Sequence, residues 1–323
     1  MKLLYMTDTH IKPENPKSRK DDFKQALRNK FLDIKELIDE EKIDYVLHGG
    51  DLFDRPDVPI EVVSDFLAIM QSFGVPIYMI AGNHDMFAHN PETVERTFLG
   101  LLDALKIIRL IDENNPVILK EGDFTAAIIG KPYFYEIDKN PENYIVKERP
   151  DADCVINMMH GLLMEKAFID GIDYVTLDQI KDTLADITLV GHYHTGFQTF
   201  VHEGRYFINP GSIARLSLGS HGKKLPKVVI LDLGKGKLDV TEKILKSAQQ
   251  ASVIFDEEKV KQSAFKVEVM RHFQNLADNT VDFDRIDFLP IISELAKADN
   301  LGEDIIKETI TRIGKAQELR MNR

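Results

Sequence analysis

The sequence "VPIYMIAGNHD" (75–85) joins an apolar run directly to a glycine, an asparagine, a histidine and an aspartate. The apolar run has the length and composition of a buried β-strand. A turn after this strand explains Gly82 and Asn83, but a turn does not require the histidine and the acid that follow. His84 and Asp85 therefore need an explanation beyond local structure.

Five apolar segments of the chain end in the same way, because each has Asp, Asn or His at its expected carboxyl-terminal end. They are "YMTDTH" with Asp8 and His10, "YVLHGGD" with Asp51, "YMIAGNH" with Asn83 and His84, "VINMMH" with His160, and "ITLVGHYH" with His192 and His194. In open α/β sheets, ligands bind at the carboxyl ends of the strands. The five segments therefore predict one shared site at such an edge.

The hydrophobic pattern predicts an α/β fold. Strands at 2–7, 43–48 and 75–80 alternate with helices at 21–41, 59–73 and 90–105, the last with Asn90 as its N-cap. This order indicates a parallel sheet with its loops at one edge. The region from 107 to 244 is rich in strands, with helical segments near 160–183. So many strands exceed one modest sheet, and we expect two mixed sheets packed face to face and flanked by helices.

The character of the chain changes near residue 245. Three further helices are predicted at 256–275, 285–298 and 303–320, and no Gly/Ser-rich linker precedes them. We therefore expect a main domain at 1–245 and a helical C-terminal region at 246–323. Apolar periodicity alone leaves open whether this region packs on the main domain or docks a partner.

Composition limits the class of protein and its compartment. The 323 residues are 43% hydrophobic and 29% charged, which is typical of a globular protein. The single cysteine, Cys154, lies in an apolar run and is expected to be a buried thiol, which fits a reducing compartment. With no signal-peptide pattern and no run near the roughly 18 to 20 apolar residues of a membrane span, we expect a cytoplasmic protein without membrane association.

The formal net charge of -12 argues against a protein that holds nucleic acid by bulk positive potential alone. It does not exclude an enzyme that acts on nucleic acid. Bound divalent metals and local basic patches can reverse the potential where the substrate binds.

The residue types at the five strand ends suit divalent metals. Asp8 and His10 are two residues apart, as are His192 and His194, so in an extended segment both side chains of a pair point the same way. Imidazole and carboxylate without thiolate suit Mn²⁺, Fe²⁺ or Zn²⁺. The candidates are too many for one tetrahedral zinc, but they fit two ions that share a carboxylate. Two ions about 3.5 to 4 Å apart can polarise a phosphate and activate water, as in phosphatases and nucleases.

The series Asp8-x-His10, Gly50-Asp51, Gly82-Asn83-His84-Asp85, His160 and Gly191-His192-x-His194 resembles the calcineurin-like metallophosphoesterase superfamily over about residues 1–235. Each motif alone occurs by chance, but all five in this order are specific. The resemblance implies a four-layer sandwich in which Asp8, His10 and His194 bind one metal, Asn83, His160 and His192 bind the other, and Asp51 bridges them. It also implies that His84 protonates the leaving oxygen or stabilises the developing charge, with Asp85 orienting it.

Within the superfamily, "GDLFDRPDVP" (50–59), "AGNHD" (81–85) and "NPGSIARLSLG" (209–219) are similar to SbcD-type nuclease subunits and their meiotic-recombination relatives. This resemblance implies an Mn²⁺-dependent DNA exonuclease and endonuclease of repair or recombination, with Mg²⁺, Fe²⁺ or Zn²⁺ as alternative metals. It further implies an SbcC-like coiled-coil ATPase that docks on the C-terminal helices. Dimerisation through the early helices, which is frequent in the family, stays open.

Two other functions remain open from the sequence. The same site could serve a small-substrate phosphodiesterase or phosphatase, whereas a non-catalytic scaffold would be expected to lose ligands, and none is lost.

Some positions near the motifs have both a structural and a functional interpretation. Arg55 could contact phosphate and His89 could reach substrate. Arg205 and Arg215 could meet a phosphate backbone or be solvated, and "KSRK" (17–20) could be a phosphate-contacting patch or a solvated loop. His48 is expected to be a core residue or to support the ligands.

Overall fold

A computed structural model describes residues 1–114, 116–166, 172–218 and 224–256, with short pieces at 258–259, 304–305, 308–309 and 311–312. The chain forms two compact units, Met1–Phe255 and Asp256–Arg323. Nearly all of the three predicted C-terminal helices therefore lies outside the described residues. In the second unit, Thr309 Oγ1 donates to the carbonyl of Ile305 at 2.8 Å. No helix among the described residues has the length and apolar character needed to cross a membrane.

The first unit contains the fourteen strands and the five α-helices whose bounds the structure describes. The strands are β1 Lys2–Met6, β2 Tyr45–His48, β3 Ile77–Met79, β4 Arg109–Leu110, β5 Val117–Glu121, β6 Phe124–Lys131, β7 Cys154–Gly161, β8 Leu163–Met164, β9 Val175–Thr176, β10 Ile187–His192, β11 Phe200–His202, β12 Arg205–Ile208, β13 Lys227–Gly234 and β14 Lys237–Ile244. The α-helices are α1 Phe23–Glu41, α2 Ile60–Ser72, α3 Phe98–Ala104, α4 Leu177–Ile180 and α5 Ala251–Ile254. Short 3₁₀ helices span Asn83–Asp85, Phe87–His89, Pro91–Arg96, Ile137–Lys139 and Pro141–Tyr144.

Two mixed six-stranded sheets form the centre of this unit. The first has the order β14-β13-β1-β2-β3-β4, with β1 to β4 parallel and β13 antiparallel to both of its neighbours. The second has the order β11-β12-β10-β7-β6-β5, with four parallel central strands and an antiparallel strand at each edge. Strands β8 and β9 pair separately. The fold class predicted from the hydrophobic pattern is confirmed.

Alternation along the strands gives each sheet two buried faces. On β1, Leu4 and Met6 pack in the cluster that contains the apolar side chains of α1 and α2, whereas Leu3 and Tyr5 pack between the sheets. Successive strand side chains point to opposite faces, so one strand serves both cores. Each fully buried aliphatic side chain stabilises the fold by about 1.5–3 kcal/mol. These two cores hold the sheets rigidly together, which fixes the strand ends that carry the site.

Helix α1 agrees with the sequence prediction, but the single helix predicted at 90–105 is wrong. Asp22 caps α1 by accepting from the amide of Gln25 at 3.0 Å. Asn90 does act as a cap, but of the 3₁₀ helix Pro91–Arg96, which ends before α3 begins. Thr97 lies between them in extended backbone and caps α3 with its hydroxyl. The side chain of Thr97 competes for the backbone amides, which breaks the helix.

The helical character predicted near 160–183 is also largely wrong among the described residues. Strand β7 continues to Gly161, β8 and β9 are extended, and only the four residues of α4 are α-helical. An apolar run of this kind satisfies helix and strand patterns equally well, and pairing with neighbouring strands decided the outcome.

Candidate metal centre

The predicted ligands lie where the two sheets meet at the carboxyl ends of five strands. Asp8 and Asp51 follow β1 and β2 of the first sheet, whereas His160 and His192 lie at the ends of β7 and β10 of the second. The backbone amide of His192 donates to both carboxylate oxygens of Asp8 at 3.2 Å, which joins the sheets at this point. We call the seven residues of this site the metal edge: Asp8, His10, Asp51, Asn83, His160, His192 and His194.

One ligand group consists of Asp8, His10, Asp51 and His194. The Nε2 atoms of His10 and His194 are 2.9 Å apart, and His194 Nε2 is 3.4 Å from Asp8 Oδ1. Two nitrogens at this distance share either a proton or a cation. Neighbouring ligands with bonds of about 2.1 Å and near-right angles are also separated by about 3 Å. The spacing therefore fits one metal ion.

The second group consists of Asp51, His160 and His192, with Asn83 at its centre. Asn83 Oδ1 lies 3.1 Å from His160 Nε2 and 2.9 Å from His192 Nδ1. Asp51 Oδ2 lies 3.4 Å from His160 Nε2 and 3.6 Å from His10 Nε2, so one carboxylate oxygen faces both groups. Two ions sharing Asp51 would use all seven side chains of the metal edge.

Burial and hydrogen bonding at the metal edge fit a bound cation. Asp8 is fully buried and Asp51 is 1% exposed. Asp51 Oδ2 is buried and accepts no hydrogen bond, although a buried carboxylate oxygen without a partner is costly. His160 Nδ1 contacts the carbonyl of Gly49 at 2.8 Å, which assigns its proton to that nitrogen and turns Nε2 toward the other ligands.

The electrostatics of the metal edge favour ionised acids, and they favour neutral rings at two of the histidines. Burial lowers the pKa of His10 to about 4 and of His192 to about 3, which leaves neutral imidazoles of the kind that bind metals. Burial opposes ionisation of Asp8, but the hydrogen bond and charge of His194 outweigh it and hold the pKa of Asp8 below its usual range. Burial also opposes protonation of His160, yet Asp51 raises the pKa of His160 to about 9. The negative charge of Asp51 can therefore be balanced by a proton on His160 or by a metal ion.

Residues 1–196 match the calcineurin-like phosphoesterase family. The chain belongs to this family. It is a family of hydrolases, and the order of the ligands at the strand ends is the one that the sequence motifs indicated.

Named relatives of this phosphoesterase fall into two groups. A DNA double-strand break repair protein Mre11 from Sulfurisphaera tokodaii is 25% identical over 198 residues, which cover 60% of this chain and 49% of that protein. Another, from Methanosarcina acetivorans, is 22% identical over 88% of this chain and 45% of its own length. A UDP-2,3-diacylglucosamine hydrolase from Stenotrophomonas maltophilia is 32% identical over 39% of this chain and 48% of that enzyme. The chain spans about half the length of these relatives.

The half-buried His84 of this phosphoesterase lies beside the shared carboxylate. Its backbone amide donates to Asp51 Oδ1 at 2.8 Å, and its Nδ1 is 2.8 Å from the carbonyl of Asp54. A carbonyl only accepts, so Nδ1 carries the proton of that hydrogen bond and the ring orientation is fixed. Nε2 is left as the atom that can hold a proton for a substrate.

The role implied for Asp85 is wrong, because Asp85 does not orient the ring of His84. Its fully buried carboxylate accepts from the backbone amides of Phe53 at 3.0 Å and Gly82 at 2.9 Å. Burial, with the nearby charge of Asp51, raises the pKa of Asp85 to about 7. Asp85 instead fixes the loop that carries Asn83 and His84, and the backbone of Asp54 holds the ring.

The ligand pairs converge by a different backbone conformation from the extended one that their spacing suggested. Asp8, His10, Asp51 and His192 have φ values of 54°, 42°, 54° and 78°, in the left-handed region. This conformation costs an L-residue of order 1–3 kcal/mol. The phosphoesterase site therefore concentrates backbone strain at four of its seven ligands, and the surrounding cores must stabilise it.

Close packing explains most of the glycines beside the candidate ligands. Only Gly50 has a positive φ, at 100°, among the five glycines beside the candidate ligands, which are Gly49, Gly50, Gly82, Gly161 and Gly191. A Cβ at Gly82 would lie 2.2 Å from Asp51 Oδ1, and one at Gly191 would lie 2.4 Å from Thr7 Oγ1. A side chain at either position would displace a ligand or the hydroxyl that donates to Asp8.

The sequence does not identify two residues, Asp54 and Tyr133, as neighbours of the candidate ligands. Asp54 Oδ1 faces His10 Nδ1 at 3.6 Å, and His10, Asp54 and His84 form a third group of convergent ligand atoms. The ring centroid of Tyr133 lies 5.8 Å from that of His192. Tyr133 follows β6 by two residues, so the rule of polar residues at strand ends would have found it. Asp54 lies in "GDLFDR", but only its neighbour Arg55 was considered as a functional residue there.

Two of the four candidate substrate contacts lie near the metal edge. Arg55 is exposed and adjacent to Asp54, with weak ion pairs to Glu14 and Asp57 at 3.4 Å. His89 is exposed and its ring lies 5.9 Å from that of Tyr133.

The other two candidates do not fit a substrate contact at this site. Arg205 begins β12, which runs parallel to β10 with Tyr206 beside Ile187, so Arg205 lies at the amino-terminal end of the sheet. At about 3.3 Å per residue, His192 is roughly 16 Å further along β10. Arg205 pairs with Glu203 there. Arg215 is 2% exposed, and it lines a cavity that none of the seven residues of the metal edge lines.

His48 supports the ligands from the core, as expected. Its Nδ1 accepts from the amide of Gly50 at 3.2 Å, so Nε2 carries the proton and contacts Thr9 Oγ1 at 3.1 Å. The ring is fully buried, and burial lowers its pKa to about 4. Neutral His48 therefore ties the loop after β1 to the loop after β2.

Proposed function

We propose that this phosphoesterase is a two-metal phosphodiester hydrolase that cleaves DNA in repair or recombination. The observation that carries the proposal is the pair of ligand groups that share Asp51 Oδ2. The backbone amide of His84 donates to the other oxygen of the same carboxylate. Two bound divalent ions would supply Lewis-acid activation of a phosphodiester and of water. The mixed nitrogen and oxygen ligands suit Mn²⁺, with Fe²⁺, Zn²⁺ or Mg²⁺ as alternatives.

The chain's own residues divide the remaining work. Asp8, His10 and His194 would hold one ion, Asn83, His160 and His192 would hold the other, and Asp51 would bridge them. His84 Nε2 donates a proton to the leaving oxygen or stabilises its charge, because Nδ1 is committed to the carbonyl of Asp54. General acid catalysis of this kind contributes about 10²–10⁴-fold to a rate.

DNA is favoured as the substrate by the relatives named Mre11, one of which aligns with 88% of this chain. The proposal includes an SbcC-like coiled-coil ATPase docked on the C-terminal region from residue 246, and a homodimer remains compatible with it. A small-substrate phosphodiesterase is the second candidate. It is supported by the relative named UDP-2,3-diacylglucosamine hydrolase, which has a higher identity over a shorter segment.

Cleavage of end-labelled linear duplex and single-stranded DNA by the purified chain with Mn²⁺ tests the proposal. His84→Ala should lower cleavage by about 10²–10⁴-fold while the chain keeps two metal ions, measured by elemental analysis. His202→Ala is the matched control, because His202 ends the edge strand β11.

Each outcome decides between the candidates. Cleavage that survives in His84→Ala would contradict the role of His84, and loss of metal from this variant would contradict the ligand assignment. Hydrolysis of bis-p-nitrophenyl phosphate without any DNA cleavage would favour the small-substrate phosphodiesterase over the DNA nuclease.

A further inference from the structure

A cavity of about 200 Å³ in the first unit brings together cationic side chains that the metal edge does not use. It lies between α1, the loop that contains "KSRK", and the segments near residues 215 and 247–254. None of the seven residues of the metal edge lines it. We call it the cation cavity, and its charged lining consists of Arg19, Lys30 and Arg215 together with the acids Asp21 and Asp22. Asn29, Ser247 and Gln249 also line it.

Lys30 is the most unusual residue of the cation cavity. It lies on the buried face of α1 between Leu27 and Ile34, and it is only 2% exposed. Among the described residues its ammonium group makes no hydrogen bond and no ion pair, and it faces the cavity. An unpaired ammonium in such surroundings is costly, so the site calls for a compensating negative charge or for loss of the proton.

Two arginines are fixed beside Lys30. Arg19 is 5% exposed, donates to both carboxylate oxygens of Asp21 at 2.8 and 2.7 Å, and donates to the carbonyl of Arg215 at 2.8 Å. Arg215 donates to the carbonyls of Gln249 and Lys224. These carbonyls hold its guanidinium in place beside the cavity.

The acids at the cation cavity make hydrogen bonds to other groups, and Asp22, in the lining, accepts from the amide of Gln25. Asp21 is engaged by Arg19, and Asp33 accepts from the backbone amide of Ser247 at 2.7 Å. Burial first, and then the charges of Arg19 and Arg215, lower the pKa of Lys30 to about 7 despite the opposing effect of both acids. The hydroxyl of Ser247 is buried in the same lining and has no hydrogen-bond partner. Among the described residues, the ammonium group of Lys30 and the hydroxyl of Ser247 therefore both lack a hydrogen-bond partner in this cavity.

We propose that the cation cavity binds a phosphate group, with Lys30 supplying the charge, Ser247 a hydroxyl donor and Arg215 a fixed guanidinium. A tetrahedral phosphate accepts hydrogen bonds from several directions at once, which suits donors on separate elements. At about 30 Å³ per water, the cavity has room for one phosphate with a few waters. It is smaller than the roughly 300–1,000 Å³ of sites that enclose larger ligands, so we assign it to a phosphate group and not to a whole nucleotide.

The cation cavity is connected to the metal edge through the backbone. The amides of Ile213 and Ala214, which precede Arg215, donate to the carbonyls of Thr7 and Asp8 at 3.2 and 3.1 Å. A phosphate held by Arg215 would therefore lie one short segment away from the loop that carries two metal ligands. The proposal does not depend on the substrate of the metal edge, since it rests on the residues of the cavity alone.

Calorimetric titration of inorganic phosphate into the full chain, with and without Mn²⁺, tests the proposal. Lys30→Met keeps the length of the side chain and removes its charge, and it should weaken the Lys30-dependent site by about tenfold or more. Ser247→Ala should weaken it by about fivefold, and it keeps the test valid if Lys30→Met does not fold. Lys35→Met, on the same helix but paired with Asp39 at the surface, is the control and should bind within about twofold of wild type.

Phosphate affinity that is unchanged in both Lys30→Met and Ser247→Ala would overturn the proposal, because any remaining phosphate would then bind at the metal edge. A second titration separates two sources of the same group. A 5′-phosphorylated oligonucleotide that binds in a Lys30-dependent manner, when its 5′-hydroxyl counterpart does not, indicates the end of a nucleic acid. Lys30-dependent binding of inorganic phosphate alone indicates a free phosphate ion.

Discussion

The metal edge and the cation cavity both bury several ionisable groups, but they balance charge in opposite ways. At the metal edge the carboxylates of Asp8 and Asp51 alternate with imidazoles, and each group has a partner within about 4 Å. In the cation cavity Lys30, Arg19 and Arg215 lie together, and burial, followed by the charge of Arg19, lowers the pKa of Lys30 and the pKa of Arg215. Buried charges in low-dielectric surroundings are costly unless a ligand of opposite charge binds beside them. That ligand would be a cation at the metal edge and an anion in the cation cavity.

Asp51→Asn should have the largest effect, because it removes the one charge that both ligand groups share. We expect a loss of metal from both groups and a fall in turnover greater than the roughly 100-fold seen when residues outside the ligand set are changed. Metal content and phosphodiester cleavage would be measured together. Retention of two ions with normal turnover would show that Asp51 does not bridge.

Asp54→Asn should have an intermediate effect on the metal edge. Its carboxylate faces His10 Nδ1, whereas its backbone carbonyl, which holds His84, is unchanged. We expect Mn²⁺ affinity to fall by about 10–100-fold, with residual turnover at saturating metal. Asp57→Asn, an exposed acid nearby, is the control for loss of charge. Equal Mn²⁺ affinity in the two variants would remove Asp54 from the site.

Lys30→Met should stabilise the chain in phosphate-free buffer, because it replaces a buried, uncompensated amine by an apolar group. We expect the free energy of unfolding to rise by about 1–4 kcal/mol at pH 7. The pKa of Lys30 falls from 10.5 in the unfolded chain to about 7 in the folded one, so between these values only the unfolded chain holds the proton. Wild-type stability therefore rises with pH over this interval relative to the variant.

Urea unfolding of wild type and Lys30→Met at several pH values between 7 and 10.5 checks this prediction. The difference in unfolding free energy should shrink steadily as the pH rises. A difference that stays constant would show that Lys30 keeps an ordinary pKa, and the contrast with the metal edge would then weaken.

Arg205→Ala should have the smallest effect, since Arg205 lies at the opposite end of its sheet from the candidate ligands and pairs with the neighbouring Glu203. We expect DNA cleavage within about twofold of wild type and a stability change within about 0.5 kcal/mol. Kinetic assays and thermal unfolding of this variant check both values. A large loss of cleavage would mean that the substrate extends far along the second sheet.

The two sites also differ in how far the sequence predicts them. The strand-end pattern named every residue that the structure brings together at the metal edge, because parallel strands place their carboxyl ends together and each strand end carries its own Asp, Asn or His. The role of Asp85 was predicted wrongly, since adjacency to His84 in sequence does not decide which group its carboxylate contacts. The cation cavity was not predicted, although Arg19 lies in "KSRK" and Arg215 in "NPGSIARLSLG".

The sequence by itself determined the two-sheet α/β fold, the order of the strand ends and the types of residue that these strand ends carry. These follow from local periodicity and residue type, which are properties of short segments. Only the tertiary structure decided that Asp51 Oδ2 faces both ligand groups and that four ligands adopt left-handed backbone. It alone decided that Lys30 on α1 meets side chains almost two hundred residues away. Those outcomes depend on how elements distant in sequence pack, and no local pattern specifies that packing.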